Sequence, residues 1–420
     1  MTRSLTTLMT ALLLAPLLGA CTGGETGPAH PVDRLDYPVA VTADPGGRLV
    51  WVTSGNFDLA WRGGAVLAID VATNRFVPEA AFEVGDFPGP LTLLERDGRA
   101  VAGYVLSRDE DALYQIGFSG PAQAPVVTCA GSKRGTGDSA ILHCGADDAF
   151  DTEKVSRDGE SAELKVGGDP YGALIRLARA ESEPDLLLTG AMIDGNVATW
   201  SLDAAGVPSL VGNLDLLNGL YAMAESPTDG RIFTTTKSAN AFQILQLVHP
   251  DPHLEQDLTN PWLAVVGQVV VPESIAVDRA RDIAVSSDGT RLYASYRAPS
   301  SVVVVDISED AAGSPADRVI AKIPVASGAG DVVVIPGADG RDRVYVSCFN
   351  ADKVEVVDPQ RGQVVATIAT GNGPFGMAYV NNADLGIERL YVAHFSDDSV
   401  GVIELDPTSP YHHTEVAEIR

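Results

Sequence analysis

Several short loops of this sequence carry a carboxylate beside a glycine or an aromatic ring. The candidate ligand-binding residues in these loops are Asp86, Phe87, Asp169, Tyr171, Arg281, Asp282, Asp331 and Phe375. A ring of carboxylates suits hard cations or basic side chains, and aromatic residues can anchor a partner. The same residues also have a structural explanation, because Asp and Gly favour tight turns and aromatic rings pack between neighbouring elements.

A second, weaker set of candidates could bind a soft metal ion. Cys348 and His394 occupy the same position in consecutive repeats, and thiolate and imidazole suit zinc or copper. A shared site would need further ligands that the sequence does not identify. The cofactor therefore stays unknown, with a divalent metal ion as one option. Covalent haem is excluded because no Cys-x-x-Cys-His occurs.

Familiar catalytic motifs are missing from the chain. It contains no Gly-x-Ser-x-Gly elbow, no phosphate loop and no His-Glu-x-x-His. The hydrolase, nucleotide-binding and metalloprotease templates thus lack their residues. The catalytic residues are unknown, and whether the protein is an enzyme stays open.

The loops are separated by short apolar segments of a repeat. From Val325 to Asp406 one pattern is written twice, and its Arg-Leu-Tyr-Val element recurs through the chain. The seven copies begin at Arg48, Arg99, Asp185, Arg231, Arg291, Arg343 and Arg389. Most intervals match the roughly 40–50 residues of a four-stranded propeller blade. The sequence predicts an all-β fold, a single seven-bladed β-propeller of four-stranded antiparallel blades over residues 34–420, with eight blades as the alternative.

The repeat resembles the YVTN family of β-propellers, which occurs in surface-layer proteins and many exported bacterial proteins. The resemblance covers nearly all of residues 34–420 and is strongest from Asp282 to Asp406; the closest matches to the family name are Tyr345-Val346-Ser347 and Trp51-Val52-Thr53. It implies that the connections between blades and the turns between second and third strands gather around a central channel. The candidate residues would then converge on one rim.

The ends of the repeat predict how the ring closes. The chain begins with an inner strand, Pro38–Ala43, and ends with an outer strand, Glu415–Ile419. Blade 7 would be complete in itself, so packing between the first and last blades must close the ring.

Cysteine spacing predicts one disulfide. Cys129 and Cys144 flank a polar segment between the apolar pairs Val126-Val127 and Ile141-Leu142. This arrangement predicts a hairpin closed by a disulfide, in an insertion around residues 119–165, and such a bond is worth about 3 kcal/mol.

The N-terminus predicts an exported, lipid-anchored protein. Residues 1–20 have a basic start and a short apolar stretch, as in a signal peptide. Leu18-Gly19-Ala20-Cys21 resembles the bacterial lipoprotein box, which implies lipidation of Cys21; an ordinary cleavage site is the alternative. Residues 21–33 would form a flexible tether. Because Thr22 replaces the Asp of an inner-membrane retention signal, the outer membrane is favoured, on its periplasmic or surface side.

Charge limits the classes of partner. The chain has 29 basic and 56 acidic residues and a net charge of −27, which disfavours nucleic acid and is also typical of a solvated exported surface. We expect a monomer with a membrane contact through Cys21 and a protein or glycan partner. The favoured function is a binding or scaffolding module that uses the channel face for a protein, glycan or small ligand. The alternative is a lactonase-like hydrolase or a redox protein with a metal or carboxylate site at the channel mouth.

Overall fold

All seven Arg-Leu-Tyr-Val elements lie at the second strands of seven consecutive blades. The computed structural model describes residues 27–129, 141–145, 149–151, 155–157, 160–164, 167–180, 183–217, 219–236, 239–248, 262–272, 280–337 and 339–420. The structure confirms the predicted seven-bladed β-propeller, and the described residues form no eighth blade.

Five of the seven blades, blades 3 to 7, are four-stranded antiparallel sheets whose strands follow chain order from the inside outwards. Blades 1 and 2 depart from this pattern. Blade 1 comprises β1 Pro38–Ala43, β2 Leu49–Ser54, β3 Gly64–Asp70, β4 Arg75–Phe76 and β5 Phe82–Val84. Blade 2 comprises β6 Thr92–Arg96, β7 Arg99–Ser107, β8 Ala112–Ser119 and the short β9 Val126–Thr128. The insertion that follows adds β10 Leu142–His143, β11 Ala149–Asp151, β12 Val155–Arg157 and β13 Glu160–Leu164.

The five regular blades are blades 3 to 7. Blade 3 comprises β14 Pro170–Arg176, β15 Asp185–Ala191, β16 Asn196–Leu202 and β17 Pro208–Asp215. Blade 4 comprises β18 Met223–Glu225, β19 Ile232–Thr234, β20 Ala241–Leu247 and β21 Leu263–Val270. Blade 5 comprises β22 Ala280–Val285, β23 Arg291–Arg297, β24 Ser300–Asp306 and β25 Arg318–Pro324. Blade 6 comprises β26 Ala329–Pro336, β27 Asp342–Cys348, β28 Lys353–Asp358 and β29 Gln363–Ala369. Blade 7 comprises β30 Pro374–Asn382, β31 Ile387–His394, β32 Ser399–Glu404 and β33 Thr414–Ile419.

The seam between blade 7 and blade 1 closes the ring without an exchanged strand, as predicted. The first strand pairs within blade 1 and the last within blade 7. A buried apolar cluster spans the two blades and includes Val41, Leu67, Val380 and Tyr391. Hydrogen bonds from side chains support this packing: Asn382 Nδ2 donates to Gly46 O at 3.1 Å, and the Tyr391 hydroxyl donates to Asn74 Oδ1 at 3.0 Å.

The predicted disulfide is confirmed, but the predicted hairpin around it is wrong. Cys129 and Cys144 are bonded with a Cα–Cα distance of 5.9 Å. However, β9 pairs with β8 of blade 2, whereas β10 pairs in parallel with β5 of blade 1. Each short strand pairs with the outer edge of a blade, because an edge strand presents unpaired backbone groups. The disulfide therefore links the outer edges of two neighbouring blades.

The predicted signal peptide, Cys21 and most of the tether lie outside the described residues. The described part, residues 27–33, runs against blade 1. His30 is buried; its backbone N–H donates to Glu83, and its Nε2 lies 3.0 Å from Ser54 Oγ. Residues 30–33 thus belong with the folded part. Within the described ranges, no helix is long and apolar enough to span a membrane.

Gly376 offers a direct test of the packing that closes the ring. A Cβ atom at this position would lie 2.7 Å from both Ala40 Cα and Val39 O across the seam. We expect Gly376→Ala to lower the free energy of unfolding by about 1–3 kcal/mol, because overpacking forces the two inner strands apart. Urea unfolding measures this change.

The matched control is Gly267→Ala in β21, where the nearest atom to an added Cβ is 3.6 Å away. This control should change stability by less than about 0.5 kcal/mol or stabilise slightly. Equal stability of the two variants would show that the seam is not closely packed.

Candidate functional site

A cavity of about 210 Å³ lies at the centre of the propeller and is lined by residues of six blades and by Pro90, in the connection before blade 2. Most lining residues lie at the starts of inner strands, whereas Arg297 ends the second strand of blade 5 and Phe349 lies in the turn after the second strand of blade 6. Both therefore lie at the turns between second and third strands. We call the side of the propeller that carries these turns and the connections between blades the channel face. Five of the predicted residues line the cavity: Tyr171, Arg281, Asp282, Asp331 and Phe375.

Blades 3 and 4 contribute a pair of tyrosines whose rings are in contact at an interplanar angle of 35°. The ring centroids of Tyr171 and Tyr221 are 4.4 Å apart. Arg108 lies 5.8 Å from the Tyr171 ring and Arg281 lies 5.4 Å from the Tyr221 ring, so each ring has a guanidinium nearby. Burial, together with Tyr221, raises the pKa of Tyr171 well above 10, so Tyr171 keeps its proton at neutral pH.

Arg281 is a cation of the cavity lining that forms no ion pair with any described residue. Its side chain is half-buried beside the cavity. Among the described residues, no carboxylate forms an ion pair with Arg281, although acidic residues outnumber basic ones by 56 to 29 in the chain. Arg108, by contrast, is paired with Asp169. A half-buried guanidinium without a counter-ion is suited to an anion that enters the cavity.

Asp282 and Asp331 form a hydrogen-bonded carboxyl pair. Asp282 Oδ2 accepts the Val332 N–H at 2.9 Å, and Asp331 Oδ2 accepts the Met377 N–H at 2.5 Å. Each carboxyl group thus bonds the inner strand of the next blade. Burial raises the pKa of both residues, and the charge of Asp282 raises the pKa of Asp331 further, so Asp331 holds the shared proton.

Phenylalanines form the wall contributed by blades 6 and 7. Phe349 and Phe375 have ring centroids 6.0 Å apart, and Arg297 lies 6.0 Å from the Phe349 ring. Phe395 lies 5.9 Å from both rings and continues the cluster to Phe57 at 5.3 Å. The cavity therefore has aromatic rings on two sides and charged groups between them.

Three predicted residues lie outside the cavity lining. Asp86 is buried and accepts a hydrogen bond from Asn56 Nδ2 at 2.6 Å, and burial raises its pKa. Phe87 has a φ of +51° and packs 5.0 Å from the ring of Phe57. Asp169 has a φ of +59° and pairs with Arg108. These residues stabilise turns, and Asp169 acts on the site only by holding Arg108 beside Tyr171.

The weak metal candidates do not share a group of ligands in the part of the chain that the structure describes. Burial raises the pKa of Cys348 to about 12, so its thiol keeps its proton. His394 instead has ligand atoms within 4.8 Å of those of Asp397 and Glu418. Both carboxylates are already engaged: Asp397 accepts from Asn372 at 2.6 Å, and Glu418 accepts from Ser399 at 2.8 Å.

Sequence reasoning missed Tyr221, Arg297 and Phe349. One signal for Tyr221 was available, because it precedes Arg231 by the same ten residues by which Arg281 precedes Arg291. Arg297 is the last residue of β23 and Phe349 directly follows β27, so both lie where a second strand gives way to a turn. No residue type marks them as channel residues.

Comparisons with known proteins agree with the fold. No protein-family model matches the sequence, and no curated protein matches it. Hydrazine synthase from Kuenenia stuttgartiensis is similar in structure, with 14% identity, coverage of 91% of this chain and 99% of that chain, and a TM-score of 0.58.

Two proteins proposed to be 6-phosphogluconolactonases are also similar. The Bacteroides fragilis protein has 16% identity, coverage of 85% of this chain and 91% of that chain, and a TM-score of 0.58. The Bacteroides uniformis protein has 13% identity, coverage of 79% and 85%, and a TM-score of 0.55. At such low identity, these likenesses show that the chain is a β-propeller and nothing about its activity.

The shared proton of Asp282 and Asp331 makes stability depend on pH in a defined direction. Folding raises the pKa of Asp331 above its ordinary value of about 4. The folded state therefore binds more protons than the unfolded state, and the free energy of unfolding falls as the pH rises above about 4. Asp331→Asn keeps a neutral group that can donate to Asp282 and accept from Met377. We expect the stability of this variant relative to wild type, measured by urea unfolding, to increase between about pH 4 and pH 8.

The control is Asp331→Ala, which removes the acceptor of the Met377 N–H. It should be less stable than Asp331→Asn by about 1–3 kcal/mol at every pH. A stability difference between Asp331→Asn and wild type that is constant with pH would contradict the shared proton.

Proposed function

We propose that this protein is a lipid-anchored β-propeller of the bacterial outer membrane that binds a small organic anion in the channel cavity. The anion would be a free small molecule or an acidic group of a glycan or protein. The observation that carries the proposal is Arg281, a half-buried guanidinium in the cavity without an ion-pair partner among the described residues. The anchor is supported by the sequence around Cys21 and by its similarity to a lipoprotein box.

The size and lining of the cavity indicate which anion would fit. A volume of about 210 Å³ is below the range typical of drug-sized ligands, so the ligand or the inserted group is small. Tyr221 and Phe375 offer aromatic faces, which favour a planar or apolar part beside the anionic group. Because Asp331 keeps its proton, the Asp282–Asp331 pair carries one negative charge rather than two, which lowers the repulsion of an anion in the cavity.

Membership of the YVTN family is part of this proposal. It is supported by the repeat pattern and by the seven-bladed fold, in the absence of a matching family model. Proteins of the YVTN family occur on bacterial surfaces, which agrees with the proposed location in the outer membrane.

An enzyme is the second candidate function, and the carboxyl pair is the observation that favours it. A protonated and an ionised carboxyl group side by side can act as acid and base. Proteins proposed to be lactonases share the fold. Binding is favoured because Asp282 and Asp331 both already accept backbone N–H groups of the next blade.

Calorimetry with a panel of small anions tests the proposed function. The panel includes uronic acids, sugar phosphates and aromatic carboxylates, each compared with its uncharged analogue. We expect a member of the panel to bind and Arg281→Gln to weaken its binding by about 10–100-fold, because a hydrogen bond between charged groups is worth about 1.5–3 kcal/mol.

The matched control is Arg318→Gln, which removes an exposed arginine from the outer strand of the same blade. It should leave the affinity unchanged. Equal losses in both variants would indicate nonspecific attraction, and binding of the uncharged analogues alone would contradict an anion site. Turnover of a lactone that is abolished by Asp331→Asn would favour the enzyme.

A further inference from the structure

The chain reaches the propeller on the channel face. The Arg62 N–H donates to Pro28 O at 3.1 Å, and a Cβ atom on Gly27 would lie 2.9 Å from Arg62 N. Arg62 belongs to the turn at residues 55–63, between β2 and β3. Buried His30 then fixes the segment to Ser54, the last residue of β2. Gly27, the first described residue, therefore lies beside this turn.

The same turn carries exposed apolar side chains. Phe57 is 39% exposed and Leu59 is 59% exposed. Leu59 also has a φ of +56°, a conformation that is rare for a bulky side chain and that costs energy. Ile193, which is 62% exposed, lies on the same face in the turn between β15 and β16.

Exposed apolar side chains also occur elsewhere on the propeller. Phe57 and Leu59 differ from them because they lie beside the first described residues of the chain. Val207 and Tyr411 are 40% and 61% exposed in turns between third and fourth strands, on the opposite face. Single exposed apolar residues are ordinary on protein surfaces. Phe57 and Leu59, by contrast, belong to the turn that Pro28 contacts, beside the first described residue of the chain.

The length of the N-terminal chain limits where a lipid anchor can be. If Cys21 is lipidated, which rests on the proposed function, six residues separate the lipid from Gly27. Six residues span at most roughly 20 Å. The turn at residues 55–63 must then stay within that distance of the bilayer, whereas the opposite face lies across the propeller.

We propose that the channel face of the anchored protein faces the lipid bilayer, with Phe57 and Leu59 inserted at the headgroup boundary. The cavity then opens toward the membrane, and its anionic ligand approaches along the lipid surface. Amphipathic surfaces bind in this way when their apolar residues reach the boundary between headgroups and acyl chains.

The charge of the channel face indicates which kind of lipid headgroup it would contact. Asp33, Asp58, Asp194 and Asp398 are exposed on it, and Arg34 is exposed beside Asp33. Carboxylates are repelled by anionic headgroups, so the contact favours zwitterionic lipid and is shallow. Phosphatidylcholine vesicles are therefore the appropriate membrane for a test, and vesicles with phosphatidylserine are the comparison.

The experiment places fluorescent probes on the two faces of the full, lipidated chain in phosphatidylcholine vesicles. Leu59→Cys and Ile193→Cys report the channel face, and Val207→Cys is the matched control on the opposite face. Cys129 and Cys144 are bonded to each other and Cys348 is buried, so the introduced cysteine is the accessible thiol of the described residues. We expect brominated lipid to quench the probe at position 59 at least threefold more than the probe at position 207, roughly the contrast between a boundary and an aqueous site.

Each outcome decides for or against the proposal. Weaker quenching at position 59 in phosphatidylserine vesicles would support the predicted lipid preference. Equal quenching at positions 59 and 207 in a chain that floats with the vesicles would overturn the orientation and leave the anchor intact. A chain that does not float with the vesicles lacks the lipid anchor. This result would overturn both the orientation and the proposed location in the outer membrane. Anion binding at Arg281 is tested separately by calorimetry.

Discussion

The ring closes without an exchanged strand, through side-chain packing and a few hydrogen bonds, because its first and last strands pair within their own blades. Inner strands must therefore approach closely around the axis, and small residues permit this: a Cβ on Gly376 would meet Ala40, and a Cβ on Gly172 would lie 2.7 Å from Tyr221 O. The same small residues leave space on the axis, and that space is the cavity. The constraint that closes the fold thus also creates the candidate site.

Blades 5 and 6 meet this constraint in a different way. Asp282 and Asp331 replace the small residues there, and each carboxyl group accepts an N–H of the next inner strand. Two adjacent buried carboxylates would repel each other, so one proton is retained between them. The cavity consequently contains one neutral and one ionised carboxyl group, together with Arg281, which has no ion-pair partner among the described residues.

The sequence predicted the parts of the structure that depend on local pattern. Strand alternation and the repeated Arg-Leu-Tyr-Val element located all seven second strands, and the repeat register placed Tyr171, Arg281 and Asp331 at the channel. Non-local choices were not predictable. The strand β10 pairs with blade 1 because a free edge is near in space, and Asp86 and Asp169 turn away from the axis because their loops take positive φ values nearby. Neither fact is encoded in the spacing of residues along the chain.

The proton between Asp282 and Asp331 links the fold to the function that we propose. An anion bound beside Arg281 would lie near this pair, and its charge would favour the protonated form of Asp331. By linkage, the protonated pair would in turn favour the anion. Because the proton also removes repulsion between two blades, ligand binding and the packing of the ring would be stabilised by the same protonation state. This coupling requires no moving element, only that the group which bonds one blade to the next also lines the cavity.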